Sequence, residues 1–329
     1  MTGPSVLTIG NFDGVHLGHR SILQRCHELG ASIDPKPRVV TVTFDPPPTA
    51  VLRPGSEPPQ VDSLRDRVSR LSEAGAEHVE VLHVDENRLH QSARAFIEEM
   101  VERFAPVAIV EGPDFRFGHR RQGDQAMLEA VGRDTGFHAH ALPRAHATLG
   151  DRQTVPVSSS LIRWLVGRGR VSDAAACLGR PFELAGRVVR GEQRGRTIGI
   201  PTANLDPADL AGRILPADGV YAATAHAADG TTYPAAVSVG TKPTFHDQAR
   251  TTVEAHLIGF TGDLYDQTLT IRFVRWVRDQ YAFPGRDALV TQLRRDVERA
   301  EHLTNSTPDP HNSAGPTTPP LPHRPSVPA

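Results

Sequence analysis

The amino-acid sequence predicts a doubly wound α/β domain followed by a small β-rich domain that ends in a helix. Up to about residue 180, short apolar runs alternate with amphipathic helix patterns, which is typical of a parallel sheet covered by helices on both faces. Beyond residue 180, short β-rich runs separated by turn residues predict a small barrel or sandwich. A length of 329 residues also favours about two domains.

The first part, residues 1–180, contains four predicted strands and three predicted helices. The strands are Ser5–Ile9, Val39–Phe44, Val79–Val84 and Val107–Val110, and the helices are Leu17–Leu29, Ser63–Ala74 and Ala93–Phe104. Because ligands of such sheets bind at the carboxyl ends of the strands, we expect functional loops to gather there.

The second part, residues 181–302, contains five predicted strands and one predicted helix. The strands are Leu184–Val189, Gly219–Ala225, Ala235–Val239, Thr252–Ile258 and Thr268–Val277, and the helix is Arg286–Ala300. Residues 303–329 form a third segment. The chain has 28 prolines, about 8.5% against a usual ~5%, and eight of them lie in this segment. With few large apolar side chains it is predicted to be a disordered tail, with a proline-rich ligand for a partner as the alternative.

Composition excludes several classes of protein. A net charge of -2 gives no basic field for nucleic acid, and no apolar run reaches the ~18 residues of a membrane helix. The N-terminus lacks the cationic region of a signal peptide, and two cysteines, Cys26 and Cys177, fit a reducing compartment, so we expect a cytoplasmic protein. The only lysines are Lys36 and Lys242, and no G-x-x-x-x-G-K-[ST] phosphate loop is present.

The strongest local motif is Gly10-Asn11-Phe12-Asp13-Gly14-Val15-His16-Leu17-Gly18-His19, directly after the first strand. His16 and His19 are three residues apart at the start of a predicted helix, so both imidazoles should share one face of its first turn. A helix N-terminus favours anions, and two histidines there can stabilise charge that develops on a phosphate. Gly18 keeps the helix start open to a nucleotide.

Two further motifs of the first part suit nucleotide or flavin binding. Gly112-Pro113-Asp114-Phe115-Arg116-Phe117-Gly118 follows a strand; Asp114 can hydrogen-bond a base or flavin edge, and the phenylalanines offer stacking faces. In Val157-Ser158-Ser159-Ser160-Leu161-Ile162-Arg163, Ser158 or Ser159 should cap a helix.

A glycine-rich segment opens the second part. Residues 191–204 read G-E-Q-R-G-R-T-I-G-I-P-T-A-N, where glycines can form a mobile flap and backbone N–H groups can cradle phosphates. The hydroxyl of Thr202 and the amide oxygen of Asn204 are ligands that Mg²⁺ accepts. Farther along, Val253, Ala255 and Leu257 should share one face of a strand and leave Glu254 on the other.

Together, these motifs resemble the bacterial bifunctional riboflavin kinase/FAD synthetase family, in order and over residues 6–300. The resemblance implies a Rossmann-like H-x-G-H nucleotidyltransferase domain and an antiparallel β-barrel kinase domain with a C-terminal helix. It implies phosphorylation of riboflavin to FMN and adenylylation of FMN to FAD, with ATP as co-substrate, Mg²⁺ as cofactor and pyrophosphate as a product. Riboflavin, FMN and ATP are then the binding partners; no nucleic acid, membrane or specific protein partner is expected, and self-association is left open.

The resemblance also implies roles for individual residues. His16 and His19 would be catalytic in adenylylation, Arg163 would reach the β/γ-phosphates of ATP, and Glu254 would be the general base of the kinase. The remaining expected adenylyltransferase contacts are Gly10, Asn11, Phe12, Asp13, Gly18, Asp114, Phe115, Arg116, Ser158 and Ser159. The expected kinase contacts are Gly191, Gly195, Arg196, Gly199, Pro201, Thr202 and Asn204, of which Thr202 and Asn204 would hold Mg²⁺.

One departure motivates an alternative. After the second strand the family has F-D-P-H-P, whereas this chain has Phe44-Asp45-Pro46-Pro47-Pro48, so Pro47 replaces a histidine and adenylylation could be weakened. The alternative is therefore a flavin-binding paralogue in which one activity, in the first place the adenylyltransferase, is weakened or lost. A further alternative is a nucleotidyltransferase for another small phosphate, since H-x-G-H is shared across that superfamily.

Overall fold

The computed structural model describes residues 3–191, 195, 198–242 and 250–306. Its first part is a five-stranded, fully parallel sheet with the strand order β3-β2-β1-β4-β5. The strands are β1 Ser5–Ile9, β2 Arg38–Asp45, β3 His78–His83, β4 Pro106–Glu111 and β5 His138–Ala141. The order reverses between β1 and β4, so the crevice at their carboxyl ends is the expected ligand position.

Six helices accompany this sheet, and separate groups of buried side chains cover its two faces. The helices are α1 Leu17–Gly30, α2 Pro48–Leu52, α3 Leu64–Glu73, α4 Glu86–His90, α5 Ala93–Phe104 and α6 Gln125–Thr135. Leu7 and Val40 pack with α5 on one face, whereas Val6 and Val39 pack with α1 and Leu71 of α3 on the other. All residues of β1 are buried, because a central parallel strand is covered on both sides.

A short connecting region leads to the second part. It contains an antiparallel strand pair, β6 His146–Thr148 and β7 Thr154–Pro156, then two helices, α7 Ser159–Gly167 and α8 Val171–Leu178. The second part is a closed antiparallel barrel in the order β10-β11-β12-β9-β8-β13. Its elements are β8 Phe182–Val189, β9 Ala203–Leu205, β10 Gly219–His226, β11 Thr232–Lys242, β12 Arg250–Leu257, β13 Thr268–Arg278 and the helix α9 Arg286–Asn305.

The two parts are joined by packing as well as by the chain. Ile162 and Leu165 of α7 and Cys177 of α8 belong to the same hydrophobic cluster as the barrel interior. Across the junction, Arg70 of α3 pairs with Glu183 of β8 at 2.7 Å. Buried Asp62 accepts from Arg180 at 3.0 Å. The predicted boundary near residue 180 therefore falls within a continuous core.

The predicted fold class is confirmed: a parallel α/β sheet precedes a closed antiparallel barrel with a C-terminal helix. The elements that were not predicted are α2, α4, β5, α6, β6, β7, α8 and the short strand β9. The last helix continues to Asn305, three residues into the segment predicted as tail, because Thr304 is buried against its own helix. The remainder of that segment, from residue 307, lies outside the described residues.

Candidate active sites

A large pocket opens at the carboxyl ends of β1 and β4, where the strand order reverses. It has a volume of about 650 Å³. Twelve of the thirteen residues predicted for adenylylation line it: Gly10, Asn11, Phe12, Asp13, His16, Gly18, His19, Asp114, Phe115, Ser158, Ser159 and Arg163. The fold therefore brings three motifs that are far apart in sequence into one cavity.

The histidine pair forms one side of this pocket. His16 is the residue before α1, and its ring stacks on that of His19 with 3.6 Å between ring centroids. The rings of Phe12 and His19 pack in a T-shaped arrangement, with centroids 5.0 Å apart. A Cβ on Gly18 would lie 3.1 Å from Cε1 of His16, so the glycine also leaves room for this ring. Both Nδ1 atoms are buried without a hydrogen-bond partner in the described structure, which leaves them available to a ligand.

Both histidines are uncharged in the free protein at neutral pH. Burial lowers the pKa of His16 to about 4, and the nearby Asp13 carboxylate offsets only part of this effect. Burial and the adjacent His16 ring lower the pKa of His19 well below its usual value. The pair therefore presents neutral imidazoles, which can donate one N–H each without adding two positive charges to a closed site.

Asp13 organises the pocket through its own side chain. Its Oδ1 accepts from the backbone N–H groups of Val61 at 2.9 Å and Asp62 at 3.1 Å. Its Oδ2 accepts from Nη2 of Arg163 at 2.9 Å, and its backbone carbonyl accepts from Ser159 at 2.8 Å. Asp13 thus holds the start of α7 beside the start of α1, with both helix N-termini at one cavity.

The start of α7 follows the predicted pattern. Ser158 caps the helix by accepting from the Leu161 N–H at 3.2 Å, Ser159 is the first helical residue, and Arg163 lies one turn after it. On the β4 side, the exposed Asp114 accepts from Nε of Arg144 at 2.8 Å, and Phe115 stacks on Phe117. Arg116 is exposed and does not line the pocket, because its guanidinium turns back to the Phe115 carbonyl at 3.2 Å.

A second cluster of polar residues, Thr202, Asn204 and Glu254, lies on the barrel. Antiparallel pairing places Asn204 of β9 opposite Glu254 of β12, and the hydroxyl of Thr202 donates to Oε2 of Glu254 at 3.4 Å. As predicted, Val253 and Ala255 are buried and Glu254 points to the other face. The three expected kinase residues therefore meet although 52 residues separate Thr202 from Glu254.

Glycines shape this group. A Cβ on Gly191 would lie 2.5 Å from Nδ2 of Asn204, so only glycine lets the backbone approach that amide so closely. The Gly195 carbonyl accepts from the Ile200 N–H at 2.9 Å, and Gly199 and Pro201 are exposed. The side chain of Arg196, also predicted to bind substrate, lies outside the described residues.

Family models match each half of the chain separately. A model described as FAD synthetase matches residues 1–160, and one described as riboflavin kinase matches residues 178–304. The first match contains the histidine pair, and the second contains the Thr202–Glu254 group.

Relatives with both halves align along nearly the whole chain. A bifunctional riboflavin kinase/FMN adenylyltransferase of Haemophilus influenzae is 33% identical over 91% of this chain and 94% of its own length. The chain belongs to the bifunctional riboflavin kinase/FMN adenylyltransferase family. The Escherichia coli member is also 33% identical, over 92% of this chain and 93% of its own length.

A solved structure extends the likeness to the fold of both halves of this family member. A crystal structure described as a macrolide-efflux protein from Streptococcus pneumoniae aligns with a TM-score of 0.81 and 28% identity, covering 92% of this chain and 95% of its own. That description concerns the other protein. In the described part of the present chain, no helix combines the length and apolarity needed to cross a membrane.

The pocket of the adenylyltransferase half also contains charged residues that the sequence analysis did not single out. Arg67 of α3, Glu111 at the end of β4 and Arg144 all line it. Arg67 and Glu111 are 1% and 3% exposed. The signal for Arg67 was an arginine one turn before the buried Leu71 of an amphipathic helix, where an apolar residue is expected. Arg144 has no comparable signal in the sequence.

Proposed function

We propose that this chain carries out two successive reactions of flavin cofactor synthesis at two separate sites. The barrel, within residues 181–302, phosphorylates riboflavin to FMN with ATP. The α/β domain, within residues 1–180, adenylylates FMN to FAD and releases pyrophosphate. The observation that carries this proposal is the presence, in one member of the family, of a histidine pair in a nucleotide-sized pocket and a Thr–Asn–Glu group on a barrel.

In the kinase reaction, Glu254 acts as the general base. Its carboxylate takes the proton of the ribityl 5′-hydroxyl, and that oxygen forms a bond to the γ-phosphorus of ATP. The bond from the γ-phosphorus to the bridging oxygen breaks, and ADP leaves with the electron pair. The Thr202 hydroxyl, donating to Oε2, keeps the carboxylate turned toward this side of the barrel.

The residues around Glu254 fit Mg²⁺ bound together with a nucleotide. Thr202 and Asn204 offer hard oxygen donors, and Gly191 leaves the cradle beside the Asn204 amide that a Cβ would fill. The described residues hold no cluster of three or more His, Cys, Asp or Glu side chains suited to a metal ion. We therefore expect ATP phosphates to supply most ligands, as is usual for Mg²⁺ in kinases. When bound, Mg²⁺ would neutralise phosphate charge.

In the adenylyltransferase reaction, positioning and hydrogen bonding replace proton transfer. A phosphate oxygen of FMN attacks the α-phosphorus of ATP, the bond to the bridging oxygen breaks, and pyrophosphate leaves with the electron pair. His16 and His19 donate to the oxygens of the crowded phosphorus, while the N-terminus of α7 and Arg163 bind the leaving phosphates. No covalent intermediate on the protein is needed.

The other proposals considered from the sequence gain no support. Pro47 lines the pocket, but the full-length relatives and the two family matches favour the bifunctional enzyme over a paralogue with one lost activity. A nucleotidyltransferase for another phosphate leaves the barrel site without a role. Cys26 and Cys177 are free and buried, which supports the proposal that the enzyme works in the reducing cytoplasm on riboflavin, FMN and ATP.

Product analysis with two variants tests the division of labour. We expect His16→Ala to convert riboflavin to FMN normally but to form FAD at least about a hundredfold more slowly. Glu254→Ala should lose about 10²–10⁴-fold in FMN formation and still make FAD from supplied FMN. The exposed His138 and Glu298 provide matched controls as His138→Ala and Glu298→Ala. If either site variant lost both activities while remaining folded, the two-site proposal would be wrong.

A further inference from the structure

One cation of the adenylyltransferase pocket has no role in the reactions described above. Arg67 projects from α3 and is 1% exposed, although it lines the pocket together with Asn11, Pro47 and Thr49. It lies on the β2 side of the turn between β1 and α1. His16 and Arg163, which we assign to ATP, belong to the two helix starts that Asp13 holds together.

The guanidinium of Arg67 is only partly satisfied. Its Nη1 donates to the carbonyl oxygen of Asn11 at 2.8 Å, and the hydroxyl of Thr43 donates to the same oxygen. Its Nε and Nη2 have no hydrogen-bond partner among the described residues. The carboxylate of Asp45 is 4.0 Å from Nη2, which is too far for a hydrogen bond. A buried cation with idle donors is costly unless a ligand supplies the missing acceptors.

The chemistry of those idle donors favours a phosphate. A guanidinium presents a planar fork that matches two oxygens of a phosphate, and it stays charged in proteins. Burial lowers the pKa of Arg67, while the carboxylates of Asp13, Asp45 and Asp62 act in the opposite direction. These carboxylates stabilise the charge but make no hydrogen bond to Nε or Nη2, so both donors are left without an acceptor beside the pocket that Arg67 lines.

Two phosphate-bearing substrates, ATP and FMN, enter this pocket under the proposed function, on which this inference rests. The leaving phosphates of ATP already have Arg163 and the N-terminus of α7, and the α-phosphate has the histidine pair. The phosphate of FMN has no cation assigned to it. We propose that Arg67 binds the phosphate of FMN and holds its attacking oxygen toward the α-phosphorus of ATP. Arg67 gives up no proton in this step; it neutralises the nucleophilic phosphate and orients it.

Steady-state kinetics of FAD formation from FMN and ATP test this assignment. Arg67→Met keeps the apolar stem and removes the charge, Arg67→Lys keeps the charge without the fork, and Arg65→Met is a matched control on the exposed face of the same helix. We expect Arg67→Met to raise KM for FMN about 10–100-fold, Arg67→Lys to recover part of this loss, and both to leave KM for ATP within about twofold. Arg65→Met should match the unmodified enzyme.

The remaining outcomes each decide against the proposal. A raised KM for ATP with an unchanged KM for FMN would place Arg67 on the ATP phosphates. A lower kcat with both KM values unchanged would mean that the side chain only supports the Asn11 turn. Riboflavin phosphorylation in the same preparation reports folding. If Arg67→Met does not fold, Arg67→Lys alone decides, because an unchanged KM for FMN in that variant overturns the proposal. Absence of FAD formation by the unmodified enzyme would instead refute the proposed function.

Discussion

The Asp13 carboxylate accepts from two buried backbone N–H groups and from the Arg163 guanidinium, and two substitutions should separate the effects of these contacts. Its Oδ1 accepts the backbone N–H groups of Val61 and Asp62, and its Oδ2 accepts Nη2 of Arg163. Asp13→Ala removes all three bonds. Asp13→Asn can keep its amide oxygen at the position of Oδ1, so that both backbone bonds remain, while its NH₂ group then faces the guanidinium and cannot accept from it.

The structure sets the size of each effect. Val61 and Asp62 are both 1% exposed, so Asp13→Ala leaves two buried N–H groups without an acceptor. Each such group costs about 1–3 kcal/mol, so we expect the free energy of unfolding to fall by about 2–6 kcal/mol. Asp13→Asn loses only the contact to Arg163, whose side chain is 20% exposed and can turn toward solvent. Its expected cost is about 1–2 kcal/mol.

Urea unfolding followed by circular dichroism, together with the two enzymatic rates, checks this reasoning. Asp13→Asn should lower the urea midpoint slightly and leave FMN formation unchanged, yet lose about a hundredfold in FAD formation because Arg163 is no longer held in place. Asp13→Ala should lower the midpoint further, because it also leaves the two backbone N–H groups without an acceptor. Equal urea midpoints for the two variants would refute the role given to the Val61 and Asp62 amides. Normal FAD formation by Asp13→Asn would refute the role given to Arg163.

Two further predictions concern the glycine cradle and the histidine pair. Gly191→Ala should lower riboflavin phosphorylation at least about tenfold and leave FAD formation from FMN unchanged, because the added Cβ would lie 2.5 Å from the Asn204 amide. The control is Gly285→Ala, since no atom lies within 4 Å of a Cβ at that position. Equal rates of riboflavin phosphorylation in the two variants would contradict the prediction. His16 has a folded pKa of about 4 against about 6.5 when unfolded, so the unfolded state binds its proton first as pH falls. Its contribution to stability should therefore decrease between pH 6.5 and 4, by at most about 3 kcal/mol. Urea unfolding between pH 7 and 5 should show a weaker pH dependence in His16→Gln, and parallel profiles would contradict this.

The elements predicted from sequence are those whose burial leaves a periodic signal. β1 and β2 are rich in Val, Leu and Ile and buried almost throughout, because both faces of a central parallel strand are covered. β5 escaped prediction because its sequence, His138-Ala139-His140-Ala141, has no apolar run and is paired on one edge only. The strand β9 escaped because it has only three residues, two of them in the P-T-A-N segment, and they form a strand only when β12 and β8 pair with them.

The predicted site residues came from motifs, and the unpredicted ones depend on tertiary contacts. His16 and His19 sit in a local pattern whose consequence, two rings on one face, follows from helical spacing alone. Arg67 sits in a sequence, Leu64-Arg65-Asp66-Arg67, that reads equally well as a solvated helix face. Its position one turn before the buried Leu71 is the one local sign that it faces inward, whereas its bond to Asn11, 56 residues away, comes from tertiary packing that no local pattern encodes.

The helix α7 explains why two chemically separate sites occur on one continuous core. The FAD synthetase match ends at residue 160 and the riboflavin kinase match begins at 178, so most of α7 lies between them. Its polar side gives Ser159 and Arg163 to the adenylyltransferase pocket, and its opposite side gives Ile162 to the hydrophobic cluster that contains the barrel interior. Cutting the chain at residue 160 would remove Arg163 from its pocket. Cutting it at 180 would expose the apolar side of α7 to water, which would weaken the helix start that we propose binds the phosphates. The barrel therefore contributes to the first site through packing, although none of the barrel residues that the structure describes lines that pocket.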